Sequence, residues 1–165
     1  MRGEDFVNWL EGLKGEKVWT RARAALRRSL AFEPGTYPAA MPYVEPLVHG
    51  EGWAREAHYL VAALYAQKDG AHQSGSSLAR ALRERVAESQ SVERRLLALL
   101  DADRDQIAVR LRHTVALVEE GIDFAGLLDD LIHWFDNRRY VQARWAREFY
   151  GRTGEEGKGD TEVTA

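Results

Sequence analysis

The sequence predicts an all-α protein, a compact helical bundle, on three observations. Apolar residues recur every three or four positions along most of the chain, the spacing that lines one face of an α-helix. Runs of alternating β-branched residues, which would mark strands, are missing. Polar caps stand before the periodic segments, and proline or glycine falls between them. Composition agrees: 45% hydrophobic and 30% charged residues over 165 positions supply a core without help from disulfides, and there are no cysteines.

Taken in order, the spacing predicts helices over 4–13, 16–31, 38–47, 53–68, 77–88, 91–101, 104–119, 123–135 and 138–150. In 16–31, Trp19, Ala22, Leu26 and Leu30 fall on one stripe. Lys17, Arg21, Ala24 and Arg28 fall on the opposite one, with Arg27 beside it. Pro34-Gly35 and the prolines at 38, 42 and 46 prevent a single long helix in that region. The segment 53–68 is apolar most of the way round, which predicts a central position. Leu96, Leu97, Leu99 and Leu100, then Ile107, Leu111, Val115 and Val118, then Leu127, Leu128, Leu131 and Trp134, complete the predicted core. Ser77, Ser91 and Asp123 are predicted N-caps, Ile122 and Leu127 a hydrophobic staple, and Asp103 with Gln106 a D-x-x-Q capping box.

One helical domain over 1–150 is expected, followed by a disordered tail over 151–165, where four glycines accompany almost no apolar residue. The polar stretch KDGAHQSGSS, 68–77, predicts a mobile loop or, near 69–77, a boundary between two lobes. The acidic N-terminal segment lacks the apolar core of a signal peptide, and the longest apolar run, 59–66, is too short to span a membrane, so a cytoplasmic protein without membrane contact is expected.

The net charge of −3 excludes a histone-like protein that coats nucleic acid indiscriminately, yet the charge is unevenly distributed. Between 14 and 28, six bases face one acid, and between 116 and 136 six acids face no base. The acidic stretch would meet a basic neighbour or keep nucleic acid away from that side. Arginine supplies 19 of the 23 basic residues, and its planar fork suits bidentate phosphate contact. On the 16–31 helix, Lys17, Arg21 and Arg28 have no acid four residues away, unlike the balanced faces of solvated helices. A second group, Arg80, Arg83, Arg94, Arg95, Arg110 and Arg112, is interleaved with acids, which predicts intramolecular ion pairs for most of it. Arg138, Arg139, Arg144 and Arg147 accompany Trp145 on the last helix, whose expected role is closing the bundle.

Catalytic patterns are missing. His49, His58, His72, His113 and His133 are scattered without metal-ligand spacing, and His133 beside Trp134 is expected to be at least half-buried. Asp129 and Asp130 are adjacent and point to different sides of a helix. Asp101 and Asp105 could share a helix side, with a capping role and an arginine partner as their simplest use. No nucleotide-binding loop or nucleophile elbow occurs, so no catalytic residue, metal or cofactor is assigned.

The order of S-S-L-A-R-A-L at 76–82, E-R-R at 93–95, L-L-D-A-D-R at 99–104, Leu111-Arg112, Asp123-Phe124 and Trp134 resembles the CasB family, the small subunit of the type I-E CRISPR Cascade complex. Trp19 with A-R-A-A-L-R-R at 22–28, and the stretch 41–45, are similar to thermophilic members. The resemblance implies an all-helical, non-catalytic subunit, paired with itself inside the assembly beside crRNA and the other Cascade subunits. It also implies contact with single-stranded DNA backbone and stabilisation of the R-loop. The positions matching family basic residues are Arg21, Arg27, Arg28, Arg94, Arg95 and Arg112; Lys17 joins them from helix phasing alone. Position 113 is His where some relatives carry a second arginine. Two other classes are compatible with the residues. A helix-turn-helix regulator would need amide side chains to read bases, and asparagine occurs only at 8 and 137. A protein-only adaptor would leave every charge solvated.

Overall fold

The computed structural model describes residues 2–151, so the tail expected over 151–165 lies, apart from Gly151, outside the described residues. Nine α-helices follow in order: α1 (Arg2–Lys14), α2 (Trp19–Arg28), α3 (Met41–Val44), α4 (Trp53–Gln67), α5 (Leu78–Arg85), α6 (Ser91–Leu100), α7 (Ile107–Val115), α8 (Phe124–Ile132) and α9 (Tyr140–Tyr150). Among the described residues there is no strand, only an isolated parallel bridge between His72 and Ile122. The all-α expectation is met, with every predicted helix present in shortened, extended or segmented form.

The differences have local causes. α2 begins at Trp19 rather than residue 16, because the chain turns after α1 through the Gly15 N–H to Gly12 and Glu16 N–H to Leu13 bonds. Lys17 therefore sits in a turn and not on the helix face expected for it. The predicted 38–47 helix is broken into 3₁₀ turn, one α turn and 3₁₀ turn, because prolines every four residues withdraw the N–H groups a continuous helix needs. The cap expected from Ser91 does not form: Ser91 is already helical, Gln90 stands at the N-cap without a side-chain cap bond, and the Ser89 hydroxyl accepts the Ser91 N–H at 3.2 Å. The other caps form as predicted. Asp123 accepts from the Gly126 N–H at 3.0 Å and Ser77 from the Arg80 N–H at 3.3 Å. Asp103 and Gln106 exchange reciprocal bonds of 3.1 and 3.2 Å before α7.

α4 is central, as its all-round apolar character requires: every residue from Ala57 to Ala66 is buried, with α2 and α8 packed against it. α1 lies on α8, α5 on α9, and α6 pairs with α7. The C-terminus of α4 closes in a Schellman motif. The Gly70 N–H reaches back to Tyr65 O at 2.9 Å and the Asp69 N–H to Ala66 O at 3.0 Å, with Asp69 left-handed at φ 54°. Arg23 of α2 pairs with that Asp69 carboxylate. The 68–77 stretch is stitched to 121–124: Gln73 N–H to Ile122 O at 2.9 Å, Asp123 N–H to Ser76 O at 2.8 Å, and Phe124 N–H to His72 Nδ1 at 3.2 Å.

Most of the predicted core residues are buried; Trp19 and Leu30 are only half-buried, and Leu97 is 46% exposed on the outer side of α6. His133 is exposed, contrary to expectation, while neighbouring Trp134 is buried. His58 is fully buried in α4. Its Nδ1–H donates to Ala54 O at 2.7 Å, and its Nε2 has no hydrogen-bond partner. Burial pushes the imidazole below its ordinary range, so the native state holds it neutral. The unfolded chain binds that proton as pH falls below about 6.5 and the folded chain resists doing so, hence stability declines below that point. We expect the thermal midpoint to fall between pH 7 and 5 by up to what one proton supplies, about 1.4 kcal/mol per pH unit. His58→Phe should flatten that dependence; an unchanged slope would show that other groups set it.

Candidate nucleic-acid interface

α2 is fixed from below. Ala22 and Leu26 are fully buried, and Trp19 meets the Tyr65 ring edge-on at 5.8 Å. Trp19 itself is only half-buried, so it is a partial anchor rather than the wholly sunken one that phasing suggests. The outer side then presents Arg21, Arg27 and Arg28 to solvent. At the end of α2 the Ser29 hydroxyl donates to Leu26 O, and the chain tightens into a 3₁₀ turn, Ser29–Ala31, that carries Leu30 and Ala31 across the end of α4.

α7 approaches from the other side. Ile107, Leu111, Thr114 and Val115 are buried, which turns Val109, Arg112 and His113 outward. Arg27, Arg28 and Arg112 thereby line one shallow hollow of ≈350 Å³ together with Leu30, Ala31 and Gln67. No carboxylate lines it. Residues 85 positions apart in sequence, from the two separately predicted basic groups, meet there. Gln67 brings a buried Oε1 without a hydrogen-bond partner.

The other candidate residues surround this hollow less tightly. Arg21 stands seven residues before Arg28 on α2, roughly 10 Å along the helix. Lys17 is exposed in the turn before it. Arg94 and Arg95 are exposed near the start of α6. The Arg110 guanidinium donates to Ala98 O at 2.7 Å and fixes the α6–α7 hairpin, directing the Arg94–Arg95 end of α6 toward the Arg112 end of α7.

Among the described residues Arg80, Arg94, Arg95, Arg110 and Arg112 of the second basic group form no ion pair with the interleaved acids, contrary to expectation; the pairs that form involve their neighbours Arg85 and Arg104. Arg85 takes Glu88, Glu119 and Glu120, and Arg104 takes Glu56, so most partners come from elsewhere in the fold, Glu119 and Glu120 from the loop before α8 and Glu56 from α4. Glu93 accepts the Tyr150 hydroxyl at 2.6 Å instead of an arginine. Asp101 and Asp105 do not share a helix: one ends α6 and the other lies in the turn before α7, both exposed and without an arginine partner among the described residues. The last helix closes the bundle as predicted, with Arg144 and the Trp145 indole both on Asp130.

Each of the six acids between 116 and 136 has a use inside the molecule. Glu119 and Glu120 meet Arg85, Asp123 caps α8, and Asp129 accepts the Gly3 N–H at 2.9 Å. Asp130 binds Arg144, and Asp136 is held down at about 2 by hydrogen bonds from Arg138. The charge asymmetry of the sequence is therefore largely cancelled on the acidic side, while on the basic side Lys14 and Arg23 are paired with Glu11 and Asp69 and Lys17, Arg21, Arg27 and Arg28 have no ion-pair partner among the described residues. Among the described residues no group of three or more His, Asp or Glu side chains could hold a metal ion, and no helix is long and apolar enough to cross a membrane.

Sequence reasoning missed Gln67, Leu30 and Ala31 as parts of the hollow. Their contribution depends on where α4 ends relative to α2 and α7, which no local pattern encodes.

Among the described residues nine helices, one of them buried at the centre, with cations gathered on a concave face, define the class: an all-α protein whose distinctive surface is a basic hollow. A family model for the CRISPR-associated protein Cse2 matches residues 22–150. The chain is 64% identical to a CRISPR-associated protein Cse2 of Thermus thermophilus, over 99% of this chain and 98% of that one. Its structure resembles the crystal structure of CasB from Thermus thermophilus, with a TM-score of 0.87 and 67% identity over 91% of this chain and 98% of the other. It also resembles a chain of a CRISPR RNA-guided surveillance complex, with a TM-score of 0.77 and 25% identity over 90% of this chain and 91% of that one. The chain belongs to the Cse2 family of CRISPR-associated proteins.

Proposed function

We propose that the chain is a non-catalytic subunit of a CRISPR Cascade ribonucleoprotein and that its basic hollow holds the phosphate backbone of displaced single-stranded DNA. The observation that carries this reading is the convergence of Arg27, Arg28 and Arg112 on a surface without carboxylates. Arg21 extends the track along α2 and Lys17 continues it into the preceding turn, and Arg94 and Arg95 extend it along the α6–α7 hairpin. Family membership and the likeness to a chain of an RNA-guided surveillance complex support a place beside crRNA and other Cascade subunits in the cytoplasm, paired with a second copy of itself.

The physics assigns the chain a supporting part. Three to seven cations neutralise few phosphates at once, so free strands bind weakly and salt removes them. Inside an assembly the strand is already present at high effective concentration, and the same contacts then steady an R-loop.

Fluorescence anisotropy with a labelled single strand at several salt concentrations tests the contact. Three phosphates engaged give a log–log slope of about −2, at roughly 0.7 per contact. A salt-independent affinity would leave the adaptor class standing instead. Co-expression with crRNA and the large backbone subunits tests membership, with the expectation that the chain is retained through size exclusion; elution apart from them would overturn it.

A further inference from the structure

Beside the basic hollow lies a second one of ≈250 Å³, and the two share Leu30, Ala31 and Arg112. The geometry points to a base-accepting pocket here: an unstacked base of the strand whose phosphates lie on Arg27, Arg28 and Arg112 inserts against Phe32. This rests on the single-strand reading above and adds to it a contact with the bases themselves.

The lining supports a flat aromatic ligand. Phe32 is 46% exposed and stacks on Tyr37 with ring centroids 5.0 Å apart and planes 5° from parallel. Tyr37 is not part of the lining, so it covers the face of Phe32 turned away from the hollow and leaves the other free. A base entering there becomes the third ring of a stack. The lining also includes Val109, 57% exposed on the outer side of α7, an apolar surface left uncovered among the described residues. Trp53 is already covered by the Arg104 guanidinium, 5.4 Å from its centroid, and Arg104 is itself paired with Glu56. The free stacking surface is therefore Phe32.

The lining also carries polar groups that can meet the edge of a base. Glu33 and Asp105 supply acceptors and His113 a ring nitrogen, while Arg112 stands at the junction, where the phosphate attached to that nucleotide would pass. The volume is below the roughly 300–1,000 Å³ of sites for drug-sized ligands and suits a single ring system. Stacking of this kind tolerates any base sequence, since every base has a π-face, which is what a subunit serving arbitrary targets requires.

An abasic oligonucleotide separates this pocket from the phosphate contacts, because it keeps every phosphate and loses every base. Wild type should bind an eight-nucleotide DNA strand about tenfold more tightly than the same length of abasic sugar-phosphate, the scale of one base stacked on an aromatic ring. Phe32→Ala and Val109→Asn alter exposed side chains and should fold normally. Each should bring the two ligands within about twofold while leaving abasic binding unchanged. Equal affinity of wild type for both ligands would overturn the pocket and leave the basic hollow intact, freeing the aromatic surface for a protein side chain. Failure of wild type to bind either ligand at low salt would overturn the pocket and the single-strand reading together.

Discussion

Trp134→Ala is expected to cost roughly 3–5 kcal/mol of folding stability. The ring is 1% exposed in the turn after α8 and meets Trp145 of α9 edge-on at 5.1 Å, while its backbone carbonyl accepts the Gln142 amide. Removing it opens a cavity between two helices that cannot close, because Arg144 and Trp145 are both tied to Asp130. The indole N–H lacks a hydrogen-bond partner, a burial penalty of about 1–3 kcal/mol that Trp134→Phe would relieve, so that change should cost far less. Two controls calibrate the number. Trp19→Ala removes a half-buried ring and should cost about half as much, and Leu97→Ala, at an exposed site, should stay within about 0.5 kcal/mol. Urea unfolding reads all four. A loss under about 1 kcal/mol for Trp134→Ala would place the ring outside the core.

The contrast between Trp134, Trp19 and Leu97 also shows what a sequence discloses about its fold. Helical periodicity finds a stripe, and a stripe is buried only if a neighbouring helix covers all of it. Leu96 and Leu97 carry the same chemistry, yet only Leu96 faces α7; a run of four leucines among five positions has no internal signal saying which one is outside. Element existence was legible because the cues were redundant: the Asp123 cap, the reciprocal Asp103–Gln106 bonds and the proline spacing at 38, 42 and 46 each act within a few residues. Lys17 was misplaced for the opposite reason. Whether the chain turns at 15–18 or runs on as helix depends on how α1 docks, through Leu10 and Leu13 into the core and Gly3 onto Asp129.

The candidate surface was partly legible on the same terms. Exposed cations on α2 follow from phasing, since Ala22 and Leu26 must face inward. What phasing cannot supply is that Arg112 closes the same hollow, or that among the described residues Arg94, Arg95 and Arg112 have no ion-pair partner while Arg85 and Arg104 find partners across the bundle. Ion pairing is decided by tertiary neighbours. Charge counting along the chain therefore predicted ion pairs for Arg94, Arg95 and Arg112 that are not made among the described residues, and overstated the free acidity of 116–136.

Arg28→Glu combined with Arg112→Glu should produce the largest functional change. The two side chains reach the hollow from α2 and α7, both are exposed, and neither has an ion-pair partner among the described residues. Reversal should leave the thermal midpoint within a few degrees, since no internal contact is lost. Two phosphate contacts disappear, so the salt slope of single-strand binding should shrink by about 1.4, at 0.7 for each contact, and two carboxylates then repel the backbone as well. The combination therefore tests convergence itself, which neither helix shows alone. Arg94→Glu with Arg95→Glu, on a face outside the hollow, should give a smaller loss if these residues only extend the track. In the assembled complex the hollow variant should form normally with crRNA and release target DNA sooner. Binding like wild type at every salt concentration would mean the hollow is an ordinary solvated surface. A larger loss from the Arg94 and Arg95 pair would move the site to α6.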